Sequence, residues 1–255
     1  MKSRLEAIAR RAGDIILAHE IRRIDQKEGH ANFVTSVDQA VQEELVSALT
    51  ALLPGSRIIG EEKENDSLTD AYTWIIDPVD GTTNLIHDYR FSAVSIALLK
   101  NRKPVIGLIY QPYTKELFYA EAGRGAYLNG ERIHTADHPI ETALIAFGTS
   151  PYQAELAQKS MRIAHAFLLR AADIRRTGSA ALDLAYVACG RVDAFFELTL
   201  KPWDYAAGAL LIEEAGGRFD MPLSKTGLDY GSSQAVLAGS AACFEDVRSL
   251  MLSFF

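Results

Sequence analysis

The chain has 255 residues, 48% hydrophobic and 23% charged, with a formal net charge of −7. That supplies a core for one large or two modest domains without staples. It disfavours general nucleic-acid binding, which rests on neutralising backbone phosphates with Lys and Arg.

No apolar run approaches the roughly 18 residues of a membrane span. The charged start, Met1-Lys2-Ser3-Arg4-Leu5-Glu6, has no apolar stretch behind it to make a secretory leader. Cys189 and Cys243 lie far apart, without CxxC-type spacing, and read as small hydrophobes in a reducing compartment. The expectation is a cytoplasmic protein with no membrane and no nucleic-acid partner.

Leu5, Ile8, Ala9, Ala12, Ile15 and Ile16 recur at helical spacing and predict an amphipathic first helix. Residues 22–32 are polar and read as a loop or weak hairpin. Ser36-Val37-Asp38-Gln39 reads as a capping box, with Ser36 capping and Gln39 reaching back. The helix it opens is lined by Val37, Ala40, Val41, Leu45 and Leu49 and ends before Pro54-Gly55.

From 57 to 134 the period becomes that of strands. Residues 57–60 are short, and 73–76 form a continuous apolar run suited to a buried strand. Segments 92–99, 105–110, 117–120, 126–128 and 132–135 follow, separated by turn signals such as Asn129-Gly130. They predict an antiparallel meander. After about residue 140 strands (143–147, 174–176, 194–197, 235–238) alternate with helices (153–169, 180–189, 205–215, 244–252). The result is an α+β chain in two tightly packed halves: 1–140 built on an antiparallel sheet and 141–255 with alternating α/β order.

The chemistry concentrates in Ile75-Ile76-Asp77-Pro78-Val79-Asp80-Gly81-Thr82-Thr83-Asn84. An apolar strand ends in an acid, proline turns the chain, and a second acid follows three positions on. Two carboxylates on a rigid strand end suit magnesium. Gly81-Thr82-Thr83 reads as a helix start whose N–H groups would seat a phosphate. On this segment alone, a turn acid and a helix cap explain Asp77 and Asp80 equally well. Glu61 and Glu62 close another short apolar strand, where a solvated loop is the plainer reading. Asp204 enters an apolar helix, where a simple N-cap is the plainer reading. The conjunction of these acids carries more than any one of them.

Gly60-Glu61-Glu62, the segment from Trp74 to Asn84, Trp203-Asp204-Tyr205-Ala206-Ala207-Gly208 and Glu213-Glu214-Ala215-Gly216-Gly217 resemble the inositol monophosphatase family in order and spacing. The resemblance covers nearly the whole chain. It implies a layered α/β/α/β/α sandwich and a magnesium-dependent, lithium-sensitive phosphomonoesterase, homodimeric, with two or three Mg2+ per site. The activity implied is hydrolysis of inositol monophosphate to myo-inositol and phosphate by activated water. Glu61, Asp77 and the Val79 carbonyl would hold one ion; Asp77, Asp80 and Asp204 a second; a third would sit near Glu61. Gly81 and Thr82 would present N–H groups to the phosphate. Asp38 would pair with the Thr82 hydroxyl to orient the attacking water, which makes Asp38, Thr82 and Glu61 the catalytic set. Lys27 aligns loosely with a family lysine. Gly178, Ser179, Ala180, Glu197 and Asp204 would contact the substrate, a small phosphorylated polyol.

Other substrates suited to the fold are histidinol phosphate, fructose 1,6-bisphosphate or a 3′-phosphoadenosine nucleotide. A second phosphate would want extra cations, which Arg175 and Arg176 could supply; a solvated strand-edge role suits them equally. No nucleophile triad involves Ser179 or the cysteines, and no zinc spacing involves the six histidines, so His134 and His138 are read as structural or surface residues. From a different class, a non-catalytic regulator on the same fold is the competing reading.

Overall fold

The structure, a computed structural model, describes every residue except 19, 20, 22, 27–32, 63–66, 152 and 226. Lys27 lies outside the described residues. In chain order the elements are α1 (Lys2–Ala18), β1 (Ile24–Gln26), β2 (Phe33–Thr35), α2 (Ser36–Leu52), β3 (Arg57–Gly60), β4 (Thr73–Asp80), α3 (Thr82–Ile86) and β5 (Ala93–Lys100). Then come β6 (Lys103–Gln111), β7 (Glu116–Glu121), β8 (Ala126–Leu128) and β9 (Glu131–Arg132). A 3-10 turn (Ile140–Thr142) leads into β10 (Leu144–Phe147), α4 (Ala154–Leu168), β11 (Asp173–Arg175), α5 (Ala180–Ala188) and β12 (Ala194–Leu200). The chain closes with α6 (Pro202–Glu214), β13 (Arg218–Asp220), β14 (Gln234–Gly239) and α7 (Phe244–Leu252).

Strands β3 to β9 form one seven-stranded sheet in sequence order, and β11-β10-β12-β14-β13 form a five-stranded one. The predicted meander runs from β4 to β9, but β3 pairs with β4 in parallel. A parallel neighbour needs a crossover rather than a hairpin. That crossover begins at Glu61, so the acid sits on a connection between two strand ends. In the second sheet β10 is parallel to β11 and β12, while β14 is antiparallel to β12 and β13.

Side-chain alternation sorts the core into three parts. Trp74, Ile76, Ile96 and Leu108 face α1 and α2. Ile75, Ala97, Ile109 and Phe118 face the other way, onto α5, α6 and, beyond them, Phe195 and Val236 of the second sheet. Ala194, Phe196 and Leu237 face α4 and α7. The five layers are therefore helix, sheet, helix, sheet, helix. Helix α6 belongs in the middle because it is apolar all round, with Tyr205 to Ile212 all buried. Small residues let it come close: a Cβ on Gly208 would meet Leu184 at 2.5 Å, and one on Gly107 would meet the Ala207 carbonyl at 2.6 Å.

Two local expectations are corrected. The cap of α2 is Thr35, not Ser36: the Thr35 hydroxyl accepts from the Val37 and Asp38 N–H groups, and Asp38, not Gln39, reaches back to the Thr35 N–H at 2.8 Å. Two adjacent hydroxyls compete for one cap, and the residue with extended backbone wins it. The second correction concerns β4, which does not stop at Asp77 but runs through Pro78 to Asp80. Pro78 is tolerated because the ladder breaks there: Asp77 pairs with Ser95 and Asp80 with Ala93, so β4 spends one more residue than β5.

Candidate metal centre and its cavity

That extra residue builds the site. In an unbroken strand, residues three apart point to opposite faces. The bulge turns Asp80 back to the side of Asp77, the side that Ile75 shares and α6 covers. Across the ladder, Ser95 donates to the Trp203 carbonyl at 3.1 Å and ties the first turn of α6 to the same spot. Asp204, inside that turn, folds back to accept from the Lys201 N–H at 2.7 Å. It is thus a capping acid and a member of the cluster at once. Carboxylate oxygens of Asp77, Asp80 and Asp204 lie within 4.8 Å of one another.

Burial and mutual repulsion hold these acids far from their ordinary state. Burial first, then the charges of Glu61, Asp80, Asp204 and Asp38, raise Asp77 well above the usual carboxylate range. Asp204 is raised likewise by burial, Asp80 and Glu61. Asp80 is pushed up to about 6 by burial, opposed by hydrogen bonds from Ser179 and the Ala181 N–H. Three crowded, all-oxygen ligands starved of positive charge are the donor set a hard divalent cation takes. The residues present therefore fit magnesium.

The cluster opens into a cavity of about 520 Å³, whose wall includes Glu61, Val79, Gly81 and Thr82. Gly81 has φ +91° at the turn from β4 into α3, a left-handed geometry that favours glycine. Behind the wall, Asp38 is buried and accepts from the Thr35 N–H at 2.8 Å, the Thr35 hydroxyl at 2.5 Å and the Thr82 hydroxyl at 2.8 Å. Thr82 Oγ also lies 3.2 Å from the Val79 carbonyl. A hydroxyl has one proton. It is nearer the charged acceptor, Asp38, which leaves the Val79 oxygen for another partner.

The second half supplies the facing wall. Gly178, Ser179, Ala180 and Glu197 all line the cavity. Ser179 differs in its use: it is buried, caps α5 and donates to Asp80, while the Ala181 N–H donates to the same carboxylate at 2.9 Å. Its hydroxyl serves the acid. Glu197 is no exposed strand-end acid: it sits within β12, accepts from the Ser150 N–H at 3.0 Å, and burial pushes it up to about 7. Of the two arginines, only Arg176 reaches the cavity; Arg175 turns away to pair with Asp173. His138 is a surface residue bonded at 2.9 Å to Asp193, and among the described residues no histidine joins the cluster. Both cysteines are free thiols, Cys243 buried and Cys189 half-buried.

Two residues escaped the sequence reading. Asn84 donates to the Phe91 and Thr177 carbonyls at 2.8 and 3.0 Å, lashing α3 to the second half; it stood in the central motif without a role. Asp183 lines the cavity, buried, with one oxygen accepting from the Thr177 hydroxyl at 2.8 Å and the other unpartnered. Its signal was an acid inside the apolar run Ala180-Ala181-Leu182-Asp183-Leu184-Ala185.

Fold and site together define a protein built to hold cations beside a small anionic ligand. Residues 2–250 match the model of the inositol monophosphatase family. A Xylella fastidiosa protein named Nus factor SuhB is 41% identical over 82% of this chain and 77% of its own. Inositol monophosphatase 2 of Solanum lycopersicum is 38% identical over 93% and 92%. The crystal structure of the extragenic suppressor protein suhB from Bartonella henselae superimposes with a TM-score of 0.89 at 31% identity, covering 98% of this chain and 97% of that one. The chain belongs to the inositol monophosphatase family.

Proposed function

We propose that the protein is a magnesium-dependent phosphatase that hydrolyses inositol monophosphate to myo-inositol and phosphate. The observation that carries this is the trio Asp77, Asp80 and Asp204 within 4.8 Å, beside a Thr82 hydroxyl committed to Asp38 at 2.8 Å. Glu61, Asp77, the Val79 carbonyl, Asp80 and Asp204 would hold two or three ions. The chemistry magnesium supplies when bound is acidification of water and neutralisation of charge on the phosphoryl and leaving oxygens.

This chain's residues do the rest. Gly81 and Thr82, ahead of the first full turn of α3, present N–H groups that have no helical carbonyl to reach and suit phosphate oxygens. Thr82 donates its proton to Asp38, so its oxygen faces the cavity as an acceptor. It receives a hydrogen bond from the attacking water and aims a lone pair of that water at phosphorus. A bond forms from the water oxygen to phosphorus as the P–O ester bond opposite breaks; the water sheds one proton to solvent and the leaving alkoxide takes one up to become the alcohol. Glu197, fixed by Ser150, accepts from the polyol hydroxyls. Residues 1–140 and 141–255 act as two halves closing on one cavity, in a homodimer sensitive to lithium. Molar mass in solution tests the dimer.

The deciding experiment is hydrolysis of an ester panel (inositol 1-phosphate, histidinol phosphate, fructose 1,6-bisphosphate, 3′-phosphoadenosine 5′-phosphate) with and without Mg2+. Magnesium-dependent turnover led by inositol 1-phosphate is expected. Absence of that turnover beside rapid cleavage of another ester would discard the substrate.

The relatives named Nus factor SuhB favour a second reading, in which the chain also serves as a Nus factor, separately from hydrolysis. Those names lend no support to the expectation of no nucleic-acid partner. Complementation of a strain lacking this protein by the inactive Asp77→Asn variant separates the two roles.

A further inference from the structure

We propose that Arg176 is the specificity-determining residue of this cavity, and that it takes a second anionic group on the leaving-group side of the ester. The assignment rests on the phosphatase reading above and extends its substrates to polyol esters that carry a second anionic group beside the one hydrolysed. Arg176 lines the cavity just before the turn Thr177-Gly178, with the buried carboxylates of Glu197 and Asp183 near enough to feel its charge. Among the described residues it forms no ion pair; its one hydrogen bond is a long one, 3.4 Å to the Thr149 hydroxyl. Its neighbour in sequence shows the contrast: Arg175 is spent on Asp173.

The turn that follows Arg176 is held at several points. The Thr177 hydroxyl is bonded to buried Asp183, the Thr177 carbonyl to Asn84, and Ser179 to Asp80. Gly178 has φ +93°, and a Cβ there would meet the Arg176 guanidinium at 2.7 Å, so the guanidinium lies along the turn. An arginine that leads into a held turn and whose five donors are nearly unused is pre-organised for a bidentate anion. A plain polyol needs acceptors such as Glu197; a second phosphate needs this donor fork.

The test compares wild type with Arg176→Ala and Arg176→Lys on myo-inositol 1-phosphate and myo-inositol 1,4-bisphosphate, which differ by one phosphate. Arg176→Ala is expected to lower kcat/KM for the bisphosphate on the order of 10- to 100-fold. The monophosphate should change by less than about 3-fold, and Arg176→Lys should fall between. Equal losses on both esters would make Arg176 a general counter-charge to Glu197 and overturn the assignment; no loss on either would do the same. If wild type cleaves neither ester, the phosphatase reading fails. Titration calorimetry with the same two esters then still decides Arg176, which must favour the bisphosphate in wild type and lose that preference in Arg176→Ala.

Discussion

The two walls of the cavity are built on opposite plans. On the side of the seven-stranded sheet, carboxylates are crowded and fixed by short local bonds: Asp77 by the Val79 N–H at 2.9 Å, Asp204 by Lys201, Asp38 by Thr35. On the side of the five-stranded sheet Glu197 and Ser179 are tied as firmly, but among the described residues Arg176 reaches only Thr149 and Asp183 keeps one oxygen unpartnered. The first wall stores repulsion that a cation relieves, so it dictates one chemistry. The second leaves donors and acceptors unspent, so it can choose among ligands. On the proposed reading, the reaction belongs to the first wall and the choice of ester to the second.

The sharpest way to break this division is Asp77→Asn. Hydrolysis should fall by at least about 10²–10³-fold, the cost of removing one pre-organised electrostatic element, on every ester alike. The metal-free protein should melt higher, because one of the repelling charges is gone. A loss confined to one ester would place choice in the first wall. Next in size, Thr82→Ala should lower kcat on the order of 10²-fold with little change in KM, since it removes the orientation of water and not the seat of the substrate.

Ser179→Ala crosses between the walls. It deprives Asp80 of its hydroxyl donor and should weaken magnesium affinity by about 10-fold or more, as loss of an outer partner to a ligand does. Raising magnesium should restore kcat. A persistent loss at saturating magnesium would mean that Ser179 touches substrate after all.

The smallest effect is a slope with pH. Asp80 holds its proton up to about 6 when folded, against 3.8 unfolded, and Glu197 up to about 7 against 4.5. Over these windows the folded chain binds more protons than the unfolded one, so the metal-free protein loses stability as pH rises from about 4 to 7. Thermal melts should drop by on the order of ten degrees across that range, and magnesium should flatten the part due to the acid cluster. Glu197→Gln should make the slope shallower from about pH 4.5 upward and remove it between about 6 and 7, leaving the Asp80 contribution between about 4 and 6.

Much of the first wall was legible because its signals are contiguous. Asp77, Asp80, Gly81 and Thr82 fall in one stretch, and a proline after an apolar run announces a break. What the break accomplishes was not legible: the bulge that returns Asp80 to the face of Asp77 is a matter of pairing with Ser95 and Ala93, fifteen or so residues away. The choice between Arg175 and Arg176 depends in the same way on the end of an edge strand, where neighbours diverge. Thr35 and Ser36 offered the same hydroxyl, and only the backbone turn separates them. Asp183 was hidden among apolar helical residues, where sequence reads core. Local chemistry shows in a sequence; which side chains meet across a sheet does not.

The three-part core also sets a schedule for synthesis. The last strand of the seven-stranded sheet ends at Arg132, but the helix that covers its inner face, α6, ends at Glu214. At ~5–20 residues per second, the roughly 80 intervening residues take on the order of 4–16 s to emerge from a ribosome. For that interval Ile75, Ala97, Ile109 and Phe118 lack the helix layer they finally lie against, of which α5 emerges first. Asp77 and Asp80 meanwhile wait at the rim of the same bare surface, without Asp204. Charged side chains on an uncovered apolar face disfavour its pairing with another sheet.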